Sequence, residues 1–209
     1  AHELNNPLLV ISGRAQLLAE GESDQGKKQI LEQIQANAQK ASAIIEDLMS
    51  FAEPTKPRSE RTDVRKIINE AIDLTCQMTN VEHINVQVEV AEDVENVFVD
   101  SAQIVSAIAN VISNAVESYS GKVGPIKITA DADESGNMVR LTISDQGCGM
   151  DAETLQKATQ PFFSVRPAGR KRGMGLAYTA RFVQINKGSL DIESEPGSGT
   201  KVTICLPRQ

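Results

Sequence analysis

Tryptophan is absent from the 209 residues, and five phenylalanines and two tyrosines are the whole aromatic complement. Any core is therefore aliphatic, and 40% hydrophobic residues suffice to build one. A basic surplus is also missing. Lys and Arg number 21 against 28 Asp and Glu, a net charge of -7. That balance argues against nucleic acid as the main partner, and any polyanion must find a local basic patch. The cysteines, Cys76, Cys148 and Cys205, are odd in number, far apart and without metal-ligand spacing. They read as thiols in a reducing compartment, which suggests a cytoplasmic location. No apolar run approaches the length that spans a bilayer, and there is no secretory leader. The chain opens at Ala1 inside a helical pattern, as a fragment would, leaving room upstream for a sensor domain and an inner-membrane anchor. Repeats and low-complexity tracts are lacking too, and the length fits one large domain or two smaller ones.

Two zones are present. Leu4, Leu8, Ile11, Ala15 and Leu18 recur at helical spacing. Gly21 to Gly26 breaks the pattern like a helical-hairpin loop. Ile30, Ile34, Asn37, Ala41, Ile44, Leu48 and Phe51 then hold heptad positions, with Asn37 able to set register. Two helices cannot enclose such a stripe, so a homodimeric four-helix bundle is expected. Pro54 to Pro57 closes the zone, giving domains 1–56 and 57–209. Beyond it, Thr62 or Asp63 caps a helix to about Thr79, and Asn85–Val90 and Val97–Val99 read as strands. Ile126–Ala132 and Met138–Ser144 form a hairpin around Asp133–Asn137. Gly173 to about Lys187 is helical, and Ser189–Ser194 and Thr200–Leu206 are a second hairpin. Antiparallel pairs separated by helices predict an α+β two-layer sandwich, a mixed sheet with helices on one face.

Four stretches carry chemistry. Asp100 to Tyr119 is an apolar helix with a second, polar stripe: Gln103, Asn110, Asn114 and Glu117. Asparagine is a poor helix former, so two of them one turn apart are either solvated amides or oxygens aimed at a hard cation or phosphates. Asp145-Gln146-Gly147-Cys148-Gly149 follows a strand. Its carboxylate can accept from an exocyclic amine, and its glycines admit a ring close to the backbone, although an ordinary tight turn has the same composition. Residues 164–176 are the strongly basic stretch. Arg166, Arg170, Lys171 and Arg172 sit among glycines before a helix N-terminus, where an anion is favoured. His2, beside Glu3 and one turn from Asn6, is either a solvated side chain or a nucleophile with its base.

In order, the segments HELNNP, N-x-x-x-N-A, D-x-G-x-G, Pro161-Phe162-Phe163-Ser164, Gly173-Met174-Gly175-Leu176 and Gly197-Ser198-Gly199-Thr200 resemble the catalytic core of a two-component sensor histidine kinase. HELNNP is similar to the nitrogen-regulator and dicarboxylate-sensor side of that family. The resemblance implies a dimerisation and phosphoacceptor hairpin followed by a Bergerat-type ATP-binding domain, with ATP and Mg²⁺ as cofactors. The expected partners are a second copy and a response-regulator receiver domain. It implies that His2 is phosphorylated, Glu3 is its acid–base partner and Asn6 positions water in dephosphorylation. Asn114 would ligate Mg²⁺, with Asn110 helping to hold metal and phosphates. Asp145 would bind the adenine amine in a pocket shaped by Gly147 and Gly149. Phe162 and Phe163 would anchor a lid whose Gly173 and Gly175 meet the phosphates, and Leu176 and Thr200 complete their boxes.

Glu117 departs from the family, standing where many members place a phosphate-binding lysine. The lid cations Arg166, Arg170, Lys171 and Arg172 are expected to supply the charge, or Glu117 to act through Mg²⁺-bound water. The alternatives are a Bergerat-fold ATPase, which carries a catalytic Glu where this chain has Asn110, a protein-serine kinase, which has no need of HELNNP, and a non-enzymatic dimeric scaffold, which binds no ATP.

Overall fold

The computed structural model describes residues 2–52, 56–79, 81, 83–133, 136–165 and 173–208. The chain divides into two compact units, Ala1–Pro54 and Thr55–Gln209.

The first unit is a helical hairpin of α1 (His2–Gly21) and α2 (Gln25–Ala52). Asp24 caps α2, its Oδ1 accepting from the backbone N–H of Gly26 at 2.8 Å and Lys27 at 3.1 Å. Pro7 lies inside α1. Having no N–H, it withholds the helical bond to the Glu3 carbonyl. Ala15, Ala19 and Ala38 are buried, their small side chains letting the two backbones approach. Ile30, Ile34, Ile44 and Leu48 of the heptad remain between 42% and 57% exposed. Ile11, Leu18 and Asn37 are exposed as well. The hairpin alone leaves its apolar stripe in solvent.

The second unit is an α+β sandwich. β1 (Glu60–Asp63) pairs antiparallel with β3 (Asn96–Val99) in a small sheet of its own. The five-stranded sheet runs β2 (Val86–Val90), β4 (Ile126–Ala132), β5 (Met138–Asp145), β7 (Gly199–Pro207), β6 (Ser189–Glu195). It is mixed: β2 and β4 are parallel, and the other pairs are antiparallel. Side chains alternate with the strand period. Ile126, Ile128 and Ala130, Val139, Leu141 and Ile143, and Val202, Ile204 and Leu206 are buried on one face. The opposite face carries the ion pairs Lys127–Glu89 at 2.8 Å, Arg140–Asp131 at 3.6 Å and Lys201–Glu193 at 2.8 Å. Such exposed pairs stabilise little, but they identify a solvated face. The helices α3 (Val64–Thr79), α4 (Ser101–Ser118) and α6 (Gly175–Ile185) share the buried side with the strands. Asp63 starts α3 by accepting from the Lys66 N–H at 2.8 Å. β1 and the six-residue α5 (Ala152–Lys157) were not expected. Both are short and polar, and neither shows a period. No helix among the described residues is long and apolar enough to cross a membrane.

α4 is the centre of this unit. Ile104, Val105, Ala107, Ile108, Ala109, Val111, Ile112, Ser113 and Ala115 are buried, which spreads around most of the helix and leaves one strip open. Two fully buried threonines fasten it to its neighbours. Thr75 of α3 donates to Ala71 O at 2.7 Å and reaches Ala109 O at 3.3 Å. Thr179 of α6 bridges Ala107 O at 3.1 Å and Gly175 O at 3.0 Å. Asp100 caps α4 through Gln103 N–H at 3.2 Å, and its other oxygen accepts from Arg58 N–H at 2.9 Å. Its own N–H donates to Asn186 Oδ1 at 2.7 Å. Asn186, 2% exposed, also donates to Gln103 Oε1 at 2.9 Å and Phe182 O at 2.8 Å.

Replacing Asn186 by alanine leaves the Asp100 N–H and the Gln103 amide without their partner in a part-buried setting. Asn186→Ala is expected to cost about 2–3 kcal/mol and to lower the melting temperature by about 5–10 °C, read by calorimetry. An unchanged melting temperature contradicts the anchoring role.

Candidate functional site

The site is assembled where β5 ends against the C-terminus of α4. Asp145 is the last residue of β5, so the sheet register fixes its position opposite Thr200 of β7. Its Oδ1 accepts two bonds, from the Gly147 N–H at 2.8 Å and the Ser118 hydroxyl at 3.0 Å. Both fall on the same oxygen. Burial raises this carboxyl above the ordinary aspartate range, and the bonds from Gly147, Ser118 and the Thr200 backbone hold it partly back. Its acceptor function is therefore lost, on acidification, at a higher pH than for an exposed aspartate.

The glycines around it are required by close approach. A Cβ at Gly147 would lie 1.8 Å from the Ser118 hydroxyl oxygen. Gly149 has φ +63°, and a Cβ there would lie 1.9 Å from the Glu195 carbonyl. The turn between β6 and β7 locks onto the same loop, with Gly197 N–H donating to Cys148 O at 2.8 Å. Ser194 ties the far side. Its hydroxyl accepts from Met150 N–H at 2.9 Å and meets the Thr200 hydroxyl at 2.9 Å.

Ser118 and Tyr119, at the end of α4, also belong to the site. Besides holding Asp145, Ser118 accepts from Cys148 N–H through its carbonyl at 3.2 Å. The Tyr119 hydroxyl accepts from Gln146 N–H at 2.7 Å and donates to Pro125 O at 2.6 Å. Sequence reasoning missed both, because neither residue type announces a bond made 27 residues away. The signal that could have found Ser118 is its place four residues, about one helical turn, beyond Asn114.

Asn114 and Asn110 lie half-buried on the open strip of α4, about 6 Å and 12 Å along the axis from Ser118. Gly175, the first residue of α6, is next to Asn110: a Cβ built on it would be 3.6 Å from the amide. Carboxylate, asparagines and the start of α6 are thus brought together in one unit. Glu117 is half-buried on α4, and Leu176 packs against the core. Gly173 has φ +68° and lies against Phe163. Phe163 is half-buried, with the Lys157 ammonium 5.9 Å from its ring centroid, and Phe162 is exposed with φ +65°. Arg166, Arg170, Lys171 and Arg172 lie outside the described residues. His2, Glu3 and Asn6 are on α1 in the other unit, and Asn6 is exposed.

These groups fit a purine nucleotide with a hard cation. The half-buried carboxylate suits an amine donor, and amide oxygens suit Mg²⁺, which takes few protein ligands and shares phosphate oxygens. Among the described residues no three His, Cys, Asp or Glu side chains cluster to hold a metal on their own.

Residues 99–209 match the family model described as histidine kinase-, DNA gyrase B-, and HSP90-like ATPase. Residues 1–57 match the His Kinase A (phospho-acceptor) domain. Sensor histidine kinase ZraS of Escherichia coli (strain K12) is 28% identical over 208 residues, 99% of this chain and 44% of that protein. Sporulation kinase B of Bacillus subtilis (strain 168) is 29% identical over 209 residues, 99% of this chain and 48% of that one. The chain spans less than half the length of these curated relatives. Among solved structures, full-length ShkA in complex with AMPPNP superposes with a TM-score of 0.71 at 20% identity, covering 99% of this chain and 44% of that one. The Acinetobacter baumannii histidine kinase AdeS gives 0.66 at 21% identity, covering 100% and 98%. Both likenesses are of fold.

Asp145→Asn keeps a carbonyl oxygen for Ser118 and Gly147 but turns an amide NH₂ toward the amine of a base. ATP affinity is expected to fall about 10- to 100-fold with the melting temperature unchanged, and the part of the acidic loss of binding expected from protonation of Asp145 in the native chain disappears. Titration calorimetry across pH checks it; undiminished binding contradicts the role of Asp145.

Proposed function

The chain belongs to the histidine kinase-, DNA gyrase B-, and HSP90-like ATPase family, and we propose that it is the catalytic core of a sensor histidine kinase. ATP binds the unit Thr55–Gln209, its γ-phosphoryl group passes to His2, and from there to an aspartate of a response-regulator receiver domain. One observation carries this reading: a pinned carboxylate, Asp145, stands at the end of the same helix that presents Asn114 and Asn110 one and two turns earlier.

Asp145 accepts from the exocyclic amine of adenine, with Gly147 and Gly149 letting the ring approach the backbone. Asn114 is the direct Mg²⁺ ligand, and Asn110 supports metal and phosphates. When bound, Mg²⁺ would offset charge on the transferring phosphoryl group. Arg166, Arg170, Lys171 and Arg172 add positive charge, and Gly173 and Gly175 offer backbone N–H groups. The protein's main task is to position the reactants. Glu3 accepts from one imidazole nitrogen of His2, leaving the lone pair of the other to attack phosphorus as the ADP oxygen leaves. Asn110 cannot take a proton at neutral pH. Water therefore finds no general base there, which favours His2 over hydrolysis. Asn6 positions water when the regulator is dephosphorylated; the lid cations supply the charge that many members take from a lysine at position 117, or Glu117 would act through water held by bound Mg²⁺. The exposed stripe of Ile30, Ile34, Ile44 and Leu48 is covered by a second copy in a four-helix bundle. The functional boundary falls at 1–56 and 57–209, and the site of action is the cytoplasm.

Incubation with γ-labelled ATP and Mg²⁺ is expected to leave acid-labile, alkali-stable label on the chain. His2→Gln abolishes it, and Asn114→Ala lowers its rate at least about a hundredfold. Acid-stable label, or label that survives His2→Gln, sinks the assignment.

A further inference from the structure

The Ser118 hydroxyl has one proton and two acceptors within reach: the Ala115 carbonyl at 2.7 Å and Asp145 Oδ1 at 3.0 Å. An ionised carboxylate is the stronger acceptor, so the proton turns to Asp145 while that group is charged. When Asp145 is neutral, the proton turns back to Ala115 and the serine oxygen accepts from the carboxyl. The last carbonyls of α4 place partial negative charge beside Asp145, and the hydroxyl stands between the Ala115 carbonyl and the carboxylate. Gly147 makes this possible, since its Cβ would collide with the hydroxyl. The loop is held on the same residue by the bond from Cys148 N–H to Ser118 O.

Building on the nucleotide reading above, we propose that Ser118 is a positioning residue of the site, its hydroxyl fixing the Asp145 carboxylate as an acceptor aimed at the exocyclic amine of the base. The groups acting on Asp145 are Ser118 from α4, Gly147 from its own loop and the Thr200 backbone from β7, all neutral. Tyr119 serves Gln146 and Pro125 instead. A serine that merely closed the helix would need the Ala115 bond alone and would be indifferent to the charge on Asp145.

ATP binding by the full chain is measured against pH for the native protein and for Ser118→Ala, Ser118→Cys and Ser118→Thr. The protonation of ATP itself is common to all four and cancels in the comparison. Ser118→Ala is expected to weaken binding about three- to tenfold near neutral pH. Because the hydroxyl favours the ionised carboxylate, its loss also moves the acidic limb of the profile to higher pH. Ser118→Cys keeps the volume with a weak donor, moves the limb the same way, and decides the matter if Ser118→Ala does not fold. Ser118→Thr keeps the hydroxyl and the native profile. Ala and Cys profiles that superimpose on the native one, or a Thr profile displaced as far as Ala, overturn the proposal. A native chain that binds no ATP overturns the nucleotide reading and this inference with it.

Discussion

The enclosure of α4 is the constraint on which the larger unit depends. Nine of its residues are buried, and Thr75 and Thr179 fasten its backbone to helices on either side. A helix held that way has one strip left for polar groups, and Asn110 and Asn114 occupy it. The same enclosure delivers the helix C-terminus to the end of β5, so Ser118 and Asp145 meet without any dedicated loop. Core packing and ligand geometry are therefore two results of one arrangement: moving α4 would disturb both.

Much of this was legible in the sequence where a period carried it. The alternation of β4, β5 and β7 and the 3.6-residue rhythm of α4 gave element type and most limits to within two residues. The asparagines stood out because their residue type is unusual in a core helix, and Asp145 because the glycines after it leave the backbone open to a ring. Side-chain bonds across long separations were not legible. Gln103 falls on the polar stripe by spacing, yet the fold spends it on Asn186, 83 residues away. β1 has no alternation because it is a four-residue ribbon paired with β3. The heptad of α2 was readable as a stripe, whereas exposure of Ile30 and Leu48 only states that the hairpin by itself does not cover it. The basic cluster at 166–172 was clear in composition, and its geometry lies outside the described residues.

The two units divide the chemistry. One offers a histidine on a helix with a proline-interrupted first stretch. The other offers a pocket in which the groups acting on the Asp145 carboxylate, Ser118, Gly147 and the Thr200 backbone, are all neutral. An amide at Asn110 exchanges no proton at neutral pH, so the nucleotide reading proposed above favours presenting a phosphoryl group to a histidine over handing it to water.

The close contacts of Gly147 and Gly149 have a consequence for how this loop can diverge. Any side chain at either position must displace a neighbouring backbone or the serine, so variants there report on packing before they report on ligand. Gln146 and Cys148, alternating with those glycines, are both exposed. Drift in the loop is thereby channelled into two outward-facing positions, and these are where lineages sharing the cradle would be free to diverge around an unchanged nucleotide.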